Sequence, residues 1–101
     1  MMNDLVRQAQ MMQKKMAKIQ EELNQKVVEA SAGGGMVTVK ANGAQEIMEI
    51  RIEKDVVDPE DVEMLQDLVM AAANDALKRS RDMVQAEMSQ LTGGMKIPGM
   101  F

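Results

Sequence analysis

At about residue 26 the apolar residues of this 101-residue chain stop recurring every three or four positions and begin to alternate, and from about residue 59 the helical spacing returns. A double change of period fixes the order of elements, because helices repeat at 3.6 residues and strands at 2. From about 3 to 24 there is no Gly or Pro. Met2, Leu5, Ala9, Met12, Met16, Ile19 and Leu23 recur at alternating steps of three and four, a heptad seam that suits pairing with one other helix.

Strands are expected at about 26–31, 36–41 and 45–53. Val37, Val39 and Ala41 alternate with Met36, Thr38 and Lys40; Met48, Ile50 and Ile52 alternate with Ile47, Glu49 and Arg51. Asn42-Gly43 is the strong signal of a type I′ hairpin, whose two central residues both need positive φ. Gly33-Gly34-Gly35 reads as a wide, flexible turn. No Lys-Ser or Lys-Thr pair follows it and a strand comes next, so it is not read as a phosphate loop.

The second helix is expected at about 59–91. Asp58 can cap it, Pro59 suits the first helical position, and Glu60 and Asp61 complement the positive end of the dipole. Thr92-Gly93-Gly94 stops it. One face carries Val62, Leu65, Val69, Ala72, Ala73, Ala76, Ser80, Met83, Val84 and Leu91, small in the middle, so a neighbour can approach closely there. A tail over 92–101 holds Met95, Ile97, Met100 and Phe101.

Helix, three antiparallel strands and helix make an α+β fold, read as one domain over 1–101. Two helices cannot cover both faces of a three-stranded sheet, nor hide its two edges. A homodimer sharing an edge or a helical seam solves both problems.

Several functions are excluded by what the chain lacks. Without Cys or His there are no disulfides, thiol nucleophiles, imidazole bases or ordinary zinc sites. Phe101 is the only aromatic residue, so stacking platforms for single-stranded nucleic acid are missing. Glu46, Glu49 and Glu53 have no acid–base partner of a different kind. Asp55, Asp58, Glu60, Asp61 and Glu63 lack calcium-loop spacing. No enzyme activity and no cofactor or metal is expected. The longest apolar run, Leu68–Ala73, is far short of a bilayer span, and Met1-Met2-Asn3-Asp4 does not open a secretory signal. A cytoplasmic protein without a membrane partner is expected.

The net charge of −4 argues against nucleic acid until it is divided by segment. Residues 1–26 carry +2, 27–54 carry −1, 55–77 carry −7 and 78–101 carry +2. At ~100° per residue, Arg7, Lys14 and Lys18 fall within about 40° of one another and Lys15 lies to one side. The seam through Leu5, Met12, Met16, Ile19 and Leu23 runs roughly opposite. In the second helix Asp75 can pair with Arg79 and Lys78 with Asp82, which leaves Arg81 the least committed base.

One resemblance covers essentially the whole chain in order. Its residues are the Met/Gln/Lys-rich opening helix, Gly33–Val37, Asn42-Gly43, the acidic block Val56–Leu68, Ala72–Leu77, Leu91–Met95 and Ile97–Phe101. The pattern resembles the small bacterial nucleoid-associated proteins of the YbaB/EbfC family. The resemblance implies a helix–three strands–helix fold, dimerised so that long helices project like the arms of tweezers. It implies a cytoplasmic, nucleoid-associated protein that binds double-stranded DNA and has no known catalytic activity. The DNA contacts it implies fall regionally on Arg7, Lys14, Lys15 and Lys18 of the first helix and on Lys78, Arg79 and Arg81 of the second. The competing class is a protein-interaction adaptor whose Met-rich helical surfaces repack against partners, with DNA association indirect.

Overall fold

The computed structural model describes residues 2–91. The chain forms α1 (Met2–Gln25), β1 (Val27–Ala32), β2 (Val37–Asn42), β3 (Ile47–Ile52), a single 3₁₀ turn (Lys54–Val56) and α2 (Val62–Leu91). This is the expected α+β order. The expected Gly93-Gly94 stop and the apolar tail over 92–101 lie outside the described residues.

The strands form an antiparallel meander in the order β1-β2-β3. Cross-strand register sets Ala32 opposite Val37 opposite Ile52, and Ala30 opposite Val39 opposite Ile50. One face of the sheet is therefore apolar. The other carries Glu29, Lys40 and Glu49 in one row and Ser31, Thr38 and Arg51 in the next, with Lys40 and Arg51 both paired to Glu49. That face is solvated and needs no cover.

α2 covers the apolar face, but only over β1 and β2. Ala72, Ala76 and Ser80, one turn apart each, are fully buried against Ala30, Val37, Val39 and Ala41. Small side chains on both surfaces let helix and sheet approach closely, as the Ala-rich middle of the sequence pattern anticipates. Leu65, Leu68, Val69, Ala73 and Leu77 close the sides of this contact. β3 lies beyond its reach. All six β3 residues are exposed, Ile47, Ile50 and Ile52 among them, although their register places Ile50 and Ile52 on the core face.

Three local expectations are corrected. Pro59 does not open α2: Asp58–Asp61 forms a turn, with the Asp61 N–H donating to the Asp58 carbonyl and the Glu60 N–H to Asp58 Oδ1. The cap is Asp61, whose Oδ1 accepts the Met64 N–H, so the helix starts at Val62. Asn42-Gly43 is not a two-residue turn either. Asn42 ends β2, its Oδ1 accepts the N–H groups of Ala44 and Glu46, and the positive φ falls on Gln45. This is the longer hairpin loop in which a reversal is followed by one left-handed residue. Finally, Gly33, Gly34 and Gly35 all have positive φ within a short turn joining β1 to β2, which is why three glycines stand together.

Gly43 has a different purpose. Its N–H donates to the Lys26 carbonyl, and a Cβ there would overlap the Leu23 carbonyl oxygen. The last turn of α1 is thus seated on the β2–β3 hairpin, where Leu23 is buried. Ser80 reaches the same corner from α2, its hydroxyl donating to the Asn42 carbonyl at 2.6 Å. Beyond this corner α1 leaves the sheet. Its residues from Met2 to Lys15 are all exposed, and the molecule measures 71 × 22 × 16 Å. The radius of gyration is 19.3 Å, against about 13 Å for a compact chain of roughly 100 residues.

Candidate nucleic-acid interface

The projecting part of α1 carries two surfaces of opposite character. On one side Arg7, Lys14, Lys15 and Lys18 are exposed, and none makes an ion pair within 4 Å among the described residues. Arg7 and Lys18 are about 16 Å apart along the axis at ~1.5 Å per residue. Asp4 and Glu22 bracket this stripe without pairing to it. Four cations are held on one rigid rod, with no carboxylate spent on any of them.

The opposite side is the heptad seam, and the structure covers only its C-terminal end. Leu23 is buried and Met16 and Ile19 are half-buried, whereas Leu5 and Met12 are 68% and 62% exposed. Ile19 and Glu22 meet Glu87 and Gln90 of α2 across a shallow groove, and Lys26 pairs with Glu87 at 3.0 Å. The end of α2 thus runs beside the end of α1 and leaves the first half of the seam without a neighbour among the described residues.

The three bases of α2 differ from those of α1. Lys78 binds Asp82 at 2.9 Å and Arg79 binds Asp75 at 3.3 Å, both the expected i,i+4 pairs. Arg79 also donates to the Glu29 carbonyl at 3.4 Å, which draws it toward the edge of β1. Arg81 is exposed and has no ion pair among the described residues. The seven candidates are therefore not one cluster: four share a face of α1, and three lie along α2, of which Arg81 alone has no acidic partner.

Two features escaped the sequence reading. Met11, 64% exposed, lies in the middle of the α1 basic stripe rather than on the seam. Its signal was present, since it is one helical turn from Arg7, Lys14 and Lys15. The second is an apolar surface around β3. Ile50 and Ile52 lie on the core face of the sheet yet remain 46% and 38% exposed. Alternation tells which residues share a face; it does not tell whether anything covers them.

Among the described residues no three His, Cys, Asp or Glu side chains are grouped to hold a metal ion, and no helix is long and apolar enough to cross a membrane.

The chain is 60% identical over 100 residues to a nucleoid-associated protein of Acetivibrio thermocellus, with 98% of this chain and 88% of that one aligned. It is 61% identical over 99 residues to a nucleoid-associated protein of Clostridium novyi, covering 98% and 87%. Its fold matches the crystal structure of an uncharacterized protein from Helicobacter pylori with a TM-score of 0.75 at 26% identity, over 87% of this chain and 92% of that one. The family model of the YbaB/EbfC DNA-binding proteins matches residues 1–95, and with such relatives across nearly its whole length the chain belongs to that family.

Proposed function

We propose that this chain is a cytoplasmic, nucleoid-associated protein that binds double-stranded DNA as a homodimer and contributes to nucleoid organisation or gene regulation, with no catalytic step and no cofactor. The observation that carries the reading is the two-sided α1. Its unpaired cations face solvent on one side while half of its apolar seam waits for a partner on the other. A second copy can cover either that seam or the exposed β3 surface, and a two-fold axis then presents two basic stripes together. Arg7, Lys14, Lys15 and Lys18 are the principal phosphate contacts. Arg81 extends them, and Lys78 and Arg79 contribute less because each already has a carboxylate.

Phosphate contacts position a protein on the duplex without reading its sequence. The five candidate bases that have no ion pair among the described residues, Arg7, Lys14, Lys15, Lys18 and Arg81, make ten per dimer. If about six of them touch phosphates, the logarithm of the binding constant falls with log salt at a slope near −5, at ~0.9 per contact. The overall negative charge doubles in a dimer, which keeps general affinity low and the protein off non-specific DNA at high coverage. A titration of duplex DNA with purified protein over a salt series tests the reading. A steep slope is expected; salt-independent or absent binding favours the adaptor.

A further inference from the structure

Resting on the DNA-binding reading above, we infer that Met11 is a wedge: the basic face of α1 carries it against a base step of the bound duplex, where it unstacks and bends the DNA. Met11 has no structural employment among the described residues. It is 64% exposed, contributes nothing to the core, and lies about 120° around the helix from the seam centre, so the helix pairing that covers Leu5 and Met12 leaves it outside. Yet it is surrounded on its own face. Arg7 stands one turn before it, Lys14 and Lys15 one turn after, and Lys18 two turns after, all four without an acid.

Charge complementarity commits the occupant. A face with four free cations is made for phosphates, and an apolar side chain in its middle then lies over the groove between the phosphate rows. Met is unbranched, polarizable and makes no hydrogen-bond demand, which suits insertion between stacked bases. Apolar wedges of this kind kink duplexes by about 20–90°. The cost of unstacking is least at pyrimidine–purine steps, so a Met11 wedge selects TA and CA/TG steps by deformability rather than by base edges. The substrate class is thus a duplex with flexible steps.

The test uses the full chain and a short duplex with 2-aminopurine beside a central TA step and donor and acceptor dyes on its ends. Wild type is expected to raise 2-aminopurine fluorescence and shorten the end-to-end distance. Met11→Ala, a substitution that favours helix, is expected to bind about tenfold more weakly with an unchanged salt slope and to lose both optical signals. Met11→Leu is expected to restore them. Equal fluorescence and bending by Met11→Ala overturn the wedge. So does wild-type binding with a steep salt slope and no unstacking, which leaves DNA binding itself standing. Salt-independent or absent binding by wild type removes the DNA-binding reading, and the wedge with it.

Discussion

Replacing Gly43 with Ala tests how firmly the α1 arm is seated. The position adopts no left-handed backbone, so conformational strain contributes nothing. The cost is contact. An added Cβ would overlap the Leu23 carbonyl oxygen and come within 2.6 Å of the Leu23 carbonyl carbon and 3.3 Å of the Asn24 nitrogen. All three are backbone atoms of the last turn of α1, and none can turn aside as a side chain can. The helix end and the hairpin must separate, which costs about 1–3 kcal/mol for overpacking. The hydrogen bond from the Gly43 N–H to the Lys26 carbonyl stretches with it, adding ~1 kcal/mol. The expected loss is ~2–4 kcal/mol, or at least ~10 °C in Tm for a chain of this size.

Gly34→Ala is the control. Its φ is +68° and its Cβ meets open space, so only the left-handed penalty of ~1–2 kcal/mol applies. Thermal unfolding followed by far-UV circular dichroism, at one fixed protein concentration because a dimer couples stability to concentration, should rank wild type above Gly34→Ala and Gly34→Ala above Gly43→Ala. A Gly43→Ala protein as stable as wild type, or more stable than Gly34→Ala, refutes the close seating of α1 on the hairpin.

Two further substitutions address the hairpin and the dimer. Asn42→Ala removes the side chain that accepts two loop N–H groups and should cost ~1–2 kcal/mol in urea unfolding; an unchanged midpoint would mean that the loop is not held by Asn42. Ile50→Glu places a carboxylate on an apolar surface that is already exposed in the single chain. It should therefore leave the circular dichroism spectrum unchanged and halve the mass measured by sedimentation; an unaltered dimer mass would mean that the β3 surface is not the interface.

The parts of the fold set by periodicity were legible in the sequence. The seam of α1, the alternation of the three strands and the small-residue middle of α2 follow from spacing, and the Lys78–Asp82 and Arg79–Asp75 pairs follow from i,i+4 positions. What spacing could not separate were residues with two possible uses. Asp58 reads as the helix cap and Asp61 as a charge that complements the dipole, and only the path of the chain decides that the first closes a turn and the second caps α2. Gly43 looks like a positive-φ turn residue, whereas it is required by the approach of Leu23 from twenty residues away. The basic stripe was readable from a helical wheel, because Arg7, Lys14, Lys15 and Lys18 share one side of it and no acid stands between Arg7 and Lys18 along the chain. That the stripe is carried on a rod leaving the sheet was not, since the wheel is the same for a helix packed on its own core.

In the proposed complex the unpaired cations of α1 hold DNA phosphates, while the opposite face of the helix and the sheet surface serve assembly. The decisive experiment is duplex-DNA binding by the triple variant Arg7→Glu, Lys14→Glu, Lys18→Glu, measured by gel retardation beside its sedimentation mass. Loss of retardation with the dimer mass unchanged is the predicted result. Retardation equal to wild type by an intact dimer would contradict the account.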